Sequence, residues 1–106
     1  MDKILEYQTA VKTIIQDYVS YYYEESTLNV QTIFDDEQGH YVLIHLGWQE
    51  DQWRYGIPLH MDIIEDEIWI QRNQTEVDLE DELMALGVLE EDIVLGFYTS
   101  ADTTNK

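Results

Sequence analysis

The chain has 106 residues, 44% of them hydrophobic, with no Cys and with 5 Lys+Arg against 23 Asp+Glu, a formal net charge of −18. A chain of that length folds as one domain burying roughly two thirds of its unfolded surface, and the lack of Cys excludes disulfides, thiolate metal sites, iron–sulfur ligation and cysteine nucleophiles. Neutralising phosphates needs clustered cations, and here the bases are scattered at Lys3, Lys12, Arg54, Arg72 and Lys106, so direct DNA binding by this chain is not expected.

A cysteine-free composition fits a reducing cytoplasm. The opening MDKILEYQTA mixes charge into its apolar residues, and no apolar run approaches the ~18 residues of a membrane span, so neither export nor membrane insertion is expected.

Ile4, Tyr7, Val11, Ile14, Tyr18 and Tyr22 recur at spacings of three and four, which makes one stripe on a helix over Asp2 to Tyr23. The run Tyr21, Tyr22, Tyr23 ends it. Three consecutive side chains leave a helix in three directions, so one or two of these rings belong on the surface. Leu28, Val30, Thr32 and Phe34 alternate with Asn29, Gln31 and Ile33 as a half-buried strand, and Asp35 to Gly39 turn the chain.

The segment from His40 to Glu76 holds all three Trp, all three His and the only Pro. Its apolar residues alternate at period two between short polar clusters at Gln49 to Gln52 and Glu65 to Glu67, the pattern of successive antiparallel strands. His40 to Trp48 is apolar on both parities and reads as a central strand. In the next strand Trp53, Tyr55, Ile57, Leu59, Met61 and Ile63 share one parity. Pro58 cannot donate to a ladder, so that strand is locally an edge or carries a bulge there. Ile68, Trp69 and Ile70 form a fourth strand.

At Thr75 the period changes. Thr75-Glu76-Val77-Asp78 resembles a capping box in an acidic variant, and Leu79, Leu83 and Leu86 then set a short helix before Gly87. Ile93 to Phe97 reads as a closing extended segment. The expected fold is therefore α+β: a long N-terminal helix, an antiparallel four-stranded meander, a short second helix with both helices on one face, and that closing segment. One domain is expected over residues 1–98, with residues 99–106 expected as a polar, frayed tail.

Composition and spacing single out no residues that a reaction requires. Any pair drawn from 23 carboxylates is uninformative, Ser20, Ser26 and Ser100 lie in no nucleophile elbow, and the glycines match no phosphate or dinucleotide fingerprint. His40, His45 and His60 lie on two strands, and a hairpin can bring His40 or Tyr41 opposite His60 with Asp62 nearby. Without an HxH, HxxxH or EF-hand pattern they read as half-buried sheet residues, and no metal or cofactor is expected.

HLGW at His45 to Trp48, YGIPLHMDI at Tyr55 to Ile63, IWIQ at Ile68 to Gln71, Thr75-Glu76 and DIVLGF at Asp92 to Phe97 are more specific. In this order, after an amphipathic helix, they resemble the XisI family, the excision controlling factors of a nitrogen-fixation DNA element in cyanobacteria. The resemblance covers about residues 1 to 97. It departs at Asp66-Glu67, where the family often has a Gly-Lys turn, and at the end, YTSADTTNK, where the family continues with a proline-containing apolar tail.

The resemblance implies a compact, non-catalytic α+β protein of the cytoplasm, working beside a XisH-like companion so that a site-specific recombinase can excise DNA. Contact with the recombinase itself and homo-oligomerisation stay open. An acidic factor suits that role if it acts through protein contacts, and the residues that would meet a basic companion are Glu80, Asp81, Glu82, Glu90, Glu91 and Asp92. Two other classes remain: an antitoxin-like neutraliser of a companion nuclease, and a small-molecule binder using the aromatic face of the meander.

Overall fold

The computed structural model describes residues 2–98; the expected polar tail lies outside them. Helix α1 spans Lys3–Tyr22, capped by Asp2, whose carboxylate accepts from the Ile4 N–H. The strands are β1 (Asn29–Asp35), β2 (His40–Gln49), β3 (Gln52–Ile64) and β4 (Glu67–Asn73); α2 covers Leu79–Ala85, and β5 is Ile93–Leu95 after a 3₁₀ turn at Glu90–Asp92. One sheet runs in the order β1-β2-β3-β4-β5.

The first four strands form the expected antiparallel meander. The closing segment corrects the four-stranded expectation: it joins as a fifth strand, parallel to β4, with Ile68, Trp69 and Ile70 opposite Ile93, Val94 and Leu95. Parallel neighbours need a long crossover, and the stretch carrying α2 supplies it.

The two-residue loops Glu50-Asp51 and Glu65-Asp66 hold both central residues at positive φ, 53° and 67° in the first and 50° and 69° in the second, the conformation that matches hairpin twist. Between β1 and β2, Asp35 accepts from the Glu37 and Gln38 N–H groups, and Gly39 takes φ +79°. A Cβ there would lie 2.5 Å from the Ile63 carbonyl oxygen, so the turn can press against β3 only with glycine at this position.

Tyr7, Val11, Ile14 and Ile15 of α1 and Leu79 and Leu83 of α2 share one buried cluster with Tyr41, Leu43, Leu59, Met61, Ile68 and Ile70 of the sheet. Both helices therefore cover one sheet face, as expected. Tyr21 and Tyr22 end α1 on the surface, whereas Tyr23 turns in, and its hydroxyl meets His45 Nδ1 at 2.7 Å.

Helix α2 starts later than its sequence suggests. The Asn73 side chain accepts from the Thr75 N–H and hydroxyl, which holds Thr75 in a turn, and Asp78 is the cap, accepting from the Asp81 N–H. At the other end the Val88 N–H reaches the Leu83 carbonyl and the Gly87 N–H the Met84 carbonyl, a Schellman closure. Val88 is buried there and Leu86 is exposed, so the apolar stripe ends on Val88.

The single parity assigned to β3 is also corrected. Leu43 pairs with Leu59 but His45 pairs with Gly56, so Ile57 and Pro58 together oppose Ile44 in a bulge. Leu59 and Met61 face the helices; Trp53 and Tyr55, on the far side of the bulge, lie on the opposite face. Proline is tolerated inside this strand because a bulge leaves a position whose N–H the ladder does not use.

Candidate functional site

Among the described residues, neither α1 nor α2 covers the second face of the five-stranded sheet. Strand alternation and register place Ile33, Val42, Leu46, Trp48, Trp53 and Tyr55 on it, and the last three are 65%, 53% and 64% exposed. Trp48 and Trp53 pair across the hairpin end, edge to face at 5.6 Å between ring centroids.

At the other end of the same face, β2 starts after the turn at Gly39 with His40 directly opposite Asp62. His60 precedes Asp62 by two residues and so shares its face. Asp62 Oδ1 lies 2.9 Å from His40 Nδ1 and 2.8 Å from His60 Nε2, and Oδ2 accepts from Gln71 Nε2 at 3.2 Å. Gln71 is the extra residue of a second bulge, since His60 pairs with Arg72 and Met61 with Ile70.

Burial works against charge on Asp62, but the bonds from His40, His60 and Gln71 outweigh it and hold its carboxyl below the ordinary value. The Asp62 bond raises His40 in turn. His45 is separate from this trio: its ring lies across Gly56, 3.0 Å from where a Cβ would stand, and burial lowers its pKa. The hairpin thus gathers two histidines and one carboxylate. The sequence reading brought His40 or Tyr41 opposite His60 with Asp62 nearby; the register instead sets His40 opposite Asp62, with His60 two residues away on the same face.

The residues expected to meet a companion lie on the helix side of the molecule. Glu80, Asp81 and Glu82 are exposed in the first turn of α2, and Glu90 and Glu91 are exposed on the 3₁₀ turn before β5. Asp92 points inward: it is 8% exposed, and its carboxylate accepts from the Tyr7 hydroxyl at 2.6 Å and from Lys3 at 2.9 Å. The Tyr7 and Lys3 bonds keep this carboxyl below its usual value.

No Lys or Arg occurs between Asn73 and Asp92 against eight carboxylates. Such repulsion is screened by ions, so the melting temperature of the free protein is expected to rise from low salt to about 0.3 M NaCl. A flat or falling melting temperature would mean that helix-dipole contacts already offset the repulsion.

A groove of about 440 Å³ runs between α1 and the end of α2 and is lined by Leu5, Glu6, Thr9, Ala10, Thr13, Leu86 and Gly87. It offers a ligand two hydroxyls and one carboxylate on an otherwise apolar wall. Among the described residues, no helix is long and apolar enough to cross a membrane.

The sequence profile of the XisI protein family matches residues 1–105. The chain belongs to the XisI family. Among solved structures, it is similar to a XisI-like protein from Anabaena variabilis ATCC 29413, with 38% identity, coverage of 88% of this chain and 85% of that one, and a TM-score of 0.81. It is also similar to the fdxN element excision controlling factor XisI from the same organism, with 28% identity, 92% and 88% coverage, and a TM-score of 0.76. No protein of curated function matches the sequence. The XisI-family match takes in the meander, both bulges and the crossover to β5, so the open face and the acidic helix side both lie within the matched residues.

Proposed function

We propose that this XisI-family chain is a non-catalytic cytoplasmic accessory factor controlling excision of a DNA element by a site-specific recombinase, and that it acts by binding a XisH-like companion. The observation that carries the reading is the placement of charge. Five exposed carboxylates, Glu80, Asp81, Glu82, Glu90 and Glu91, sit on two elements separated by the α2 closure, with no Lys or Arg between them. A duplex would be repelled by this surface and a basic protein attracted. The likeness to the fdxN element excision controlling factor supports the biological setting.

Rim charges act mainly on the rate of encounter, so association with the companion should slow as salt rises. Reversing the five carboxylates to Lys should weaken capture of a XisH-like companion while leaving the fold intact, since exposed substitutions usually change stability by less than about 0.5 kcal/mol. Pull-down with the wild type and the reversed form, beside a gel shift with duplex DNA, tests both halves. Unchanged capture would remove the acidic side as the docking surface, and a DNA shift by the wild type alone would overturn the reading.

A further inference from the structure

We propose that His40, His60 and Asp62 form a binding site for one divalent transition-metal ion of the class that imidazole favours, such as Zn²⁺ or Co²⁺. Three donor atoms, a ring nitrogen of His40, a ring nitrogen of His60 and an Asp62 oxygen, lie within 4.8 Å of one another. Tetrahedral zinc holds N and O donors at about 2.0–2.2 Å, which separates neighbouring donors by about 3.3 Å. To admit an ion, the two contacts to Asp62 Oδ1 at 2.8 and 2.9 Å open by about 0.5 Å and the donors that stand up to 4.8 Å apart draw together, a rotamer-scale adjustment for two partly exposed rings.

The backbone makes this geometry repeatable. Asp62 and His60 stand two residues apart on β3 and therefore on one face, and His40 is the register partner of Asp62 on β2. Gln71, presented by the β4 bulge, fixes the second carboxylate oxygen, the outer-shell support that orients a metal-binding carboxylate.

The carboxylate also lacks a permanently charged partner among the described residues. Asp62 is 7% exposed, yet no Lys or Arg pairs with it among the described residues; its partners are the two imidazoles and one amide. A buried carboxylate is stable only when it is paired or coordinates a metal. A divalent ion would serve as that partner, and the −18 charge of the chain would concentrate such ions around it. The donor set of two nitrogens and one oxygen selects against Mg²⁺ and Ca²⁺, which take oxygen ligands. His40 and His60 keep 55% and 33% of their side chains exposed, so a remaining coordination position opens to solvent.

The test is a titration of the full chain with Co²⁺, read as visible absorption, together with calorimetric titration with Zn²⁺ and with Mg²⁺. One Zn²⁺ per chain and a Co²⁺ band are expected, with the band lost in both His40→Ala and His60→Ala. Gln71→Ala should weaken Zn²⁺ binding about 10-fold, as outer-shell changes do. The exposed position of His40 protects the fold in its variant, which circular dichroism checks. Absence of a band, or Zn²⁺ heats that match those of Mg²⁺ and persist in the His40→Ala, His60→Ala double variant, would show only cation accumulation on an acidic protein and overturn the site.

Discussion

Replacing Leu43 by Ala is expected to lower the unfolding free energy by about 2–5 kcal/mol. Leu43 is fully buried on β2, flanked in register by Thr32 and Leu59, and belongs to the same cluster as Val11, Ile14 and Ile15 of α1. The strand is bonded on both sides, so the backbone cannot move in to fill the space that the isobutyl group leaves. Part of the cost is lost transfer from water and part is the cavity. Ile14→Ala should fall in the same range and Val11→Ala toward its lower end. A domain of this size has about 5–15 kcal/mol in all, so the Leu43 variant should have a visibly earlier urea midpoint at an unchanged slope. Losses below about 1 kcal/mol at all three positions would show that the core lies elsewhere.

Those three positions were legible because periodicity reports burial wherever the backbone is regular. Val11 and Ile14 lie on the one stripe of α1, and Leu43 lies in a strand that is apolar on both parities. Legibility stopped where the ladder is irregular. A bulge at Ile57 and Pro58 exchanges the faces of β3, and Pro58 marked the place without saying which residues would change sides. As a result Trp53 and Tyr55 read as core partners of Leu59, although they stand on the uncovered face.

The direction of β5 was hidden for a different reason. A three-residue strand has too few side chains to carry a pattern, and whether it pairs parallel or antiparallel depends on the path of the crossover. The His40, His60 and Asp62 trio depended on register, which is set by the turns at Gly39 and at Glu50-Asp51 more than by the identity of the three residues. The acidic positions were partly legible: composition shows the charge, but burial decides which carboxylates are free to meet a partner.

Asp92 is the carboxylate for which that distinction has the largest expected effect: Asp92→Ala should cost about 1–3 kcal/mol, the penalty for leaving buried polar groups unpaired. The Leu89 N–H donates to the Tyr7 hydroxyl, that hydroxyl donates to Asp92, and Lys3 completes the set. Tyr7 is 2% exposed, so water cannot readily replace the lost acceptor. These bonds tie the first turns of α1 to the 3₁₀ turn that leads into β5. Lys3 is largely solvated and adds little, which leaves the tyrosine bond as the main contribution. A double-mutant cycle of Tyr7→Phe with Asp92→Asn should accordingly show coupling of about 0.5–3 kcal/mol. The sign of the pH dependence follows from the folded pKa, which lies below the ordinary carboxylate value, first through the Tyr7 bond and then through Lys3. The contribution is complete above the unfolded pKa and is lost as pH falls through the folded one. The gap between wild type and Asp92→Asn should therefore hold at neutral pH and close as the solution is acidified below about pH 4. Glu91→Lys, one residue away and exposed, should leave stability nearly unchanged. If Asp92→Ala instead unfolds like the wild type yet fails to capture the companion, this carboxylate serves the interface and not the fold.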